Sequence, residues 1–223
     1  MAGSMSPSDP AADPQATGRW IPRFTRAERW THRAIAILTI ILLLTAAALY
    51  LPQVSAIVGN RPTVRLIHLI AGYALPIPII LALASAAFRS DAARLNRFTP
   101  DDWAWLRSSD RRSGRIPVGK FNAGQKINAA FTLGAIIVMF ATGLVLAWNQ
   151  FFPDDIRTGA TFTHDWLTLA IVVMVAGHIA MALKDPMART GMRTGEVTEA
   201  WAADEHAAWL GEVSGPRSPG APR

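Results

Sequence analysis

The chain has 223 residues, of which 51% are hydrophobic and 17% charged, a balance too apolar for an ordinary soluble domain. The formal net charge of +6 comes with no recognition motif for nucleic acid, so a nucleic-acid partner is set aside. Cysteine is absent, which excludes disulfides, cysteine-held iron–sulfur clusters and covalent haem attachment through C-x-x-C-H.

Residues 1–18 are rich in Pro, Ser, Ala and Asp. They have neither the basic start nor the apolar core of a signal peptide, and a disordered tail is expected. Four apolar blocks follow, at about 34–51, 64–88, 127–148 and 162–183. Each supplies roughly the ~20 residues that cross ~30 Å of hydrocarbon as a helix. Pro76 and Pro78 predict a kink in the second span and not its end, because neighbouring helices shelter the freed carbonyls. The expected fold is an all-α membrane protein, a four-transmembrane-helix bundle in the lipid bilayer over residues 19–190, with a tail over 191–223. Within the tail, Glu196 to Gly211 carries Val197, Trp201 and Trp209 and reads as a helix lying on the membrane surface. His206, in that segment, reads as a solvated tail histidine, with contact to a partner subunit as the alternative.

Basic residues set the orientation. Of the 22 Lys and Arg residues, only Arg61 and Arg65 in the first loop and Arg157 in the third fall on one side. All the others precede the first span, fill the second loop or follow the fourth span. Both termini are therefore expected in the cytoplasm, in a multi-pass protein of the bacterial inner membrane.

The chemistry lies with the histidines. His32, His68, His164 and His178 fall within or at the ends of the spans, where an ionisable side chain is expensive. A single such histidine is as readily a neutral bridge between helices; the arrangement of four argues for ligands. His164 and His178 share the fourth helix 14 residues apart, close to four turns, so they occupy one face about 21 Å from each other. His32 opens the first helix on the cytoplasmic side, and His68 lies one turn into the second on the outer side. Depth alone pairs His68 with His164 and His32 with His178. Two bis-imidazole sites without a carboxylate suit low-spin haem iron, whose axial positions are both filled. A zinc or di-iron site would call for further ligands. Met139, Met174 and Met181 are packing residues first and axial ligands only as a remote alternative. Arg29, Arg33 and Lys126 suit either haem propionates or lipid headgroups.

Four stretches carry a resemblance: Arg23-Phe24 with Glu28-Arg29 and His32; Pro117 with Gly119-Lys120-Phe121-Asn122 and Gly124-Gln125-Lys126; the His164–His178 spacing; and the tail from Gly191 through Trp201 to His206 and Trp209. Together they resemble the cytochrome b (gamma) subunit of membrane-bound respiratory formate dehydrogenase. The resemblance implies two haem b groups, with His32 and His178 on the inner haem and His68 and His164 on the outer one. It also implies an iron–sulfur (beta) partner, a molybdenum- or tungsten-containing catalytic (alpha) subunit, and menaquinone or ubiquinone as acceptor near Asn122, Gly124 and Gln125. Asn122 is equally suited to cap the third helix. Cytochrome b subunits of hydrogenase or thiosulfate reductase share the four-histidine pattern and remain the rival. A His-relay transporter is a further one, although no internal repeat supports it.

Overall fold

A computed structural model describes residues 18–111 and 115–215; apart from Gly18, the expected N-terminal tail lies outside them. The chain enters through a short strand, β1 (Trp20–Pro22), and helix α1 (Arg26–Tyr50) begins at a capping box. There the Thr25 hydroxyl accepts from the Glu28 N–H while Glu28 Oε2 accepts from the Thr25 N–H. Hydropathy places the first span too late because Arg26 to Arg33 are polar, yet the cap carries the helix through them. His32 is accordingly well inside α1.

Helix α2 (Pro52–Val58) ends on Gly59 at φ 70°, and α3 (Arg61–Ala74) and α4 (Ile77–Ala82) make the second span. The break between them falls at Leu75 and Pro76, where the two prolines remove backbone donors. The span stops at Ala82 and not at Phe88, because Ser85 accepts from the Phe88 N–H and caps a separate helix, α5 (Ala86–Leu95). Helix α6 (Pro100–Arg107) completes the basic loop. Then come α7 (Ala123–Ala147), a 3₁₀ turn (Asn149–Phe151) and α8 (Asp154–Leu183). After the spans follow α9 (Pro186–Thr194), β2 (Glu196–Thr198), α10 (Glu199–Glu205) and α11 (Ala207–Ser214).

Among the described residues four helical stretches are long and apolar enough to cross a membrane: α1, the α3–α4 pair, α7 and α8. In none is more than 17% of the most apolar stretch buried inside the protein. Leu44, Leu66, Ile137 and Val173 are among the large side chains left on the outside, a surface too apolar for water and suited to lipid. The spans pack as α1 along α3 and α7 along α8, with a lighter contact between α3 and α7.

The segment expected on the membrane surface folds differently. β2 pairs antiparallel with β1, Ile21 opposite Val197, and draws the tail against the start of α1. Ile21, Val197, Trp201, Ala202 and Trp209 form a small core, in which the two tryptophans are 7% and 3% exposed. Gly195 closes this junction at φ 98°, where a Cβ would stand 2.6 Å from the Phe24 carbonyl oxygen. The Arg23 and Phe24 N–H groups both donate to the Gly195 carbonyl, at 2.7 and 3.0 Å. Periodicity within the tail conceals this core, since Ile21, which completes it, precedes α1.

Candidate functional site

α8 is one uninterrupted helix, so His164 and His178 stand about 21 Å apart along its axis. Across from them the structure brings the other two histidines in the expected pairs. The His68 and His164 rings have centroids 6.4 Å apart at 62°, and the His32 and His178 rings 6.1 Å apart at 48°. Two metal–imidazole bonds of about 2 Å, plus about 1.1 Å from each nitrogen to its ring centre, require a centroid separation of about 6.3 Å. Both couples meet that requirement. They bridge α8 to α3 and to α1, helices with which α8 does not share an extensive packed seam.

The second nitrogen of each outer ring is held from a neighbouring helix. His68 Nδ1 lies 2.8 Å from Thr45 Oγ1 on α1, and His164 Nδ1 lies 2.9 Å from Thr142 Oγ1 on α7. Each hydroxyl gives its own proton to a carbonyl one turn back, Thr45 to Ile41 at 2.7 Å and Thr142 to Val138 at 2.8 Å. A hydroxyl whose proton is spent can only accept, so both rings are Nδ1–H tautomers and keep the Nε2 lone pair for a metal. Gly143 leaves room beside His164, whose Cε1 would lie 3.7 Å from a Cβ there. Sequence reading did not identify Thr45 or Thr142. Both lie on other helices than the ring they orient, and threonine in a span ordinarily back-bonds to its own helix. Among the described residues no three His, Asp or Glu side chains gather to hold a metal ion, so the donor set is one of pairs. Paired neutral imidazoles, with a lone pair from each, fit haem iron.

Asn122 and Gln125 are reciprocal caps of α7: Asn122 Oδ1 accepts from the Gln125 N–H at 2.9 Å, and Gln125 Oε1 accepts from the Asn122 N–H at 3.0 Å. Their amide nitrogens take no part in the cap. Gly124 makes its close approach to a protein ring, since a Cβ would stand 3.3 Å from Trp105 Cη2. Lys126 is not free for a propionate or headgroup. It is buried, with Nζ 2.6 Å from Asp102 Oδ2 and 2.9 Å from the Arg97 carbonyl. Arg29 and Arg33 both donate to the Arg193 carbonyl, at 2.5 and 3.2 Å.

His206 departs most from expectation. It is 2% exposed and not solvated. Its Nδ1–H donates to the Gly119 carbonyl at 2.7 Å, and Nε2 accepts from Arg23 Nη2 at 3.0 Å. Arg23 also donates to the Lys120 carbonyl at 2.7 Å, and its guanidinium lies 4.6 Å from the Trp201 ring and 5.5 Å from the Trp209 ring. Burial, aided by the adjacent Arg23 charge, pushes the His206 imidazole down to about 3. Burial likewise lowers Arg23 to about 10. The Ala208 N–H donates to the Val118 carbonyl at 3.1 Å. The run from Val118 to Asn122 is thus clamped between the start of α1 and the tail.

Four apolar helices, three of them linked by two His–His couples at different heights along α8, match the architecture of a membrane cytochrome of the b type. The chain belongs to the prokaryotic cytochrome b561 family, whose model matches residues 23–194. It is a membrane electron-transfer protein of a family that carries haem b. It is similar to the cytochrome b556(fdo) subunit of formate dehydrogenase from Escherichia coli K12, 25% identical over 206 residues, which cover 86% of this chain and 93% of that one. It is also similar to the cytochrome b556(Fdn) subunit of the nitrate-inducible formate dehydrogenase of the same strain, 29% identical over 100 residues, covering 43% of this chain and 46% of that one. The counterpart in Shigella flexneri matches to the same extent.

Proposed function

We propose that this chain is the dihaem cytochrome b subunit of a formate dehydrogenase-type respiratory complex. It connects an iron–sulfur (beta) partner, fed by a molybdenum- or tungsten-containing alpha subunit, to menaquinone or ubiquinone. The observation that carries the reading is the geometry of the couples: two ring pairs, 6.4 and 6.1 Å between centroids, on one face of α8. In this reading His68 and His164 hold the outer group, and His32 and His178 the inner one. With these four histidines as its holders, haem would supply one-electron transfer at each couple.

The protein's own contribution is position and protonation. α8 fixes the two ligands about 21 Å apart. Thr45 and Thr142 hold the outer rings in the tautomer that presents Nε2. Both termini lie in the cytoplasm, which puts the start of α1, the end of α8 and the folded tail on that side. The amide nitrogens of Asn122 and Gln125 are aligned by the cap and donate to a quinone carbonyl, with Trp105 against Gly124 as an apolar wall.

Isolation of the native complex from membranes tests the assignment. Mass spectrometry should identify an iron–sulfur subunit and a molybdenum or tungsten subunit, and formate should reduce the chain's haems. Co-purification with a hydrogenase, and reduction by hydrogen but not formate, would replace this reading by its rival.

A further inference from the structure

Beside the run that carries Asn122 lies a group of charged side chains that the histidine couples do not use. Lys120 Nζ hydrogen-bonds to Asp91 Oδ2 on α5 and stands 3.8 Å from Glu28 Oε1 on α1. The three side chains retain 11%, 10% and 8% exposure, so this cluster is built into the protein and is not a solvated charge run. Glu28 uses Oε2 on the Thr25 N–H and hydroxyl, but its Oε1 is buried without a hydrogen-bond partner. Such an oxygen is costly to leave unmet. An ionised Asp91 offers it no donor. A protonated Asp91 does, and the two carboxyls are close enough to hydrogen-bond. Burial, with Glu28 as neighbour, pushes the Asp91 carboxyl up to about 7. Glu28, Asp91 and Lys120 line a cavity of about 360 Å³ that reaches from Arg23 at its buried wall to Arg94 and the exposed Val213 at its rim. The other charges facing the cluster are Arg23, engaged by the Lys120 carbonyl and His206, and Arg94, paired with Glu212 of α11 at 2.8 Å.

We propose that Glu28, Asp91 and Lys120 form a proton relay, which takes protons from the aqueous phase through this cavity and delivers them to a quinone held at Asn122 and Gln125. The relay rests on the quinone-reducing reading above. Conversion of quinone to quinol takes up two electrons and two protons, forms two O–H bonds and expels no leaving group. The electrons come from the reduced donor of the complex. Each proton passes from water to the carboxyl pair, then by way of the Lys120 ammonium to a quinone oxygen, and the pair is refilled from the cavity. Lys120 is two residues from Asn122, so their Cα atoms lie within about 7 Å, and the four-carbon stem allows the ammonium to swing between the carboxyls and the quinone. A carboxyl that titrates near neutral pH is suited to both loading and release.

Asp91→Asn and Glu28→Gln in the purified, haem-loaded full chain test the relay. After chemical reduction, reoxidation by a soluble quinone is followed by stopped flow in H₂O and D₂O, with ferricyanide, which needs no proton, as a parallel oxidant. The relay predicts that quinone reoxidation slows about 100-fold in Asp91→Asn, that the solvent isotope effect grows, that a small weak acid such as azide restores the rate, and that Asp91→Glu retains most of it. Ferricyanide rates should be unchanged. Infrared difference spectra across pH should show a protonated-carboxyl C=O band titrating near neutral in the unaltered protein and missing in Asp91→Asn, whatever the haem content. Unchanged quinone rates and pH profile in both variants would overturn the relay. So would loss of quinone and ferricyanide rates together, which marks structural damage. A wild-type chain that quinone cannot oxidise at all would instead remove the reading beneath it.

Discussion

Replacing Thr45 and Thr142 by valine perturbs the outer couple alone. Valine keeps the volume and removes only the hydroxyl, so the His68 and His164 rings each lose the acceptor that stands 2.8 and 2.9 Å from their donor nitrogen, Nδ1. Leaving one such donor unmet in a dry site costs about 1–3 kcal/mol, and 1.4 kcal/mol is a tenfold change. Each substitution should therefore weaken the outer site's hold on its haem by about 10- to 100-fold, the range known for groups that orient a metal ligand. Without its hydrogen bond the imidazole is also a poorer electron donor to iron, so the outer midpoint potential should rise while the inner one stays. Thr168→Val is the control, because that hydroxyl donates at 2.7 Å to the His164 backbone carbonyl and not to the ring. Haem-to-protein ratios and spectroelectrochemical titration of the purified variants supply the readout. Equal effects on both haems, or no effect on either, would refute the tautomer argument.

Three further outcomes follow from the clamp and the caps. His206 is neutral when buried, with its folded value near 3 against an ordinary 6.5, so its stabilising contribution is complete above about 6.5 and is lost as pH falls toward 3. Going from pH 7 to pH 5 should cost tail docking about 2 kcal/mol; limited proteolysis between residues 195 and 215 should accelerate accordingly, and His206→Gln should remove that acid sensitivity. Asp102→Ala leaves the Lys126 ammonium buried without its carboxylate and should destabilise by about 3–5 kcal/mol in thermal unfolding, with much of the loss recovered by adding Lys126→Met. Asn122→Ala and Gln125→Ala should each cost about 1 kcal/mol as lost caps and slow quinone reoxidation, with ferricyanide oxidation unaffected. Normal quinone kinetics in both would withdraw those residues from the quinone site.

The spans were legible because apolar length is a property of the chain itself, and the histidine pairing because depth along a helix follows from residue number. What escaped reading depended on contacts between distant segments. The start of α1 was hidden by Arg26 and Arg29, polar residues that hydropathy discounts although the Thr25–Glu28 box extends the helix through them. The burial of His206 depends on Arg23 and Gly119, 183 and 87 residues away in sequence. Trp201 and Trp209 carry the same composition whether they face lipid or the Ile21–Val197 pair. Likewise, nothing local distinguishes Lys126 near a headgroup from Lys126 against Asp102.

Single alanine substitutions at the four span histidines, read by haem content and redox titration of the purified protein, probe the paired geometry most directly. The unaltered chain should carry two haem b groups with separate midpoints. His68→Ala and His164→Ala should abolish the same one, and His32→Ala and His178→Ala the other. A chain with a single haem, or losses that cross between the couples, would contradict the account.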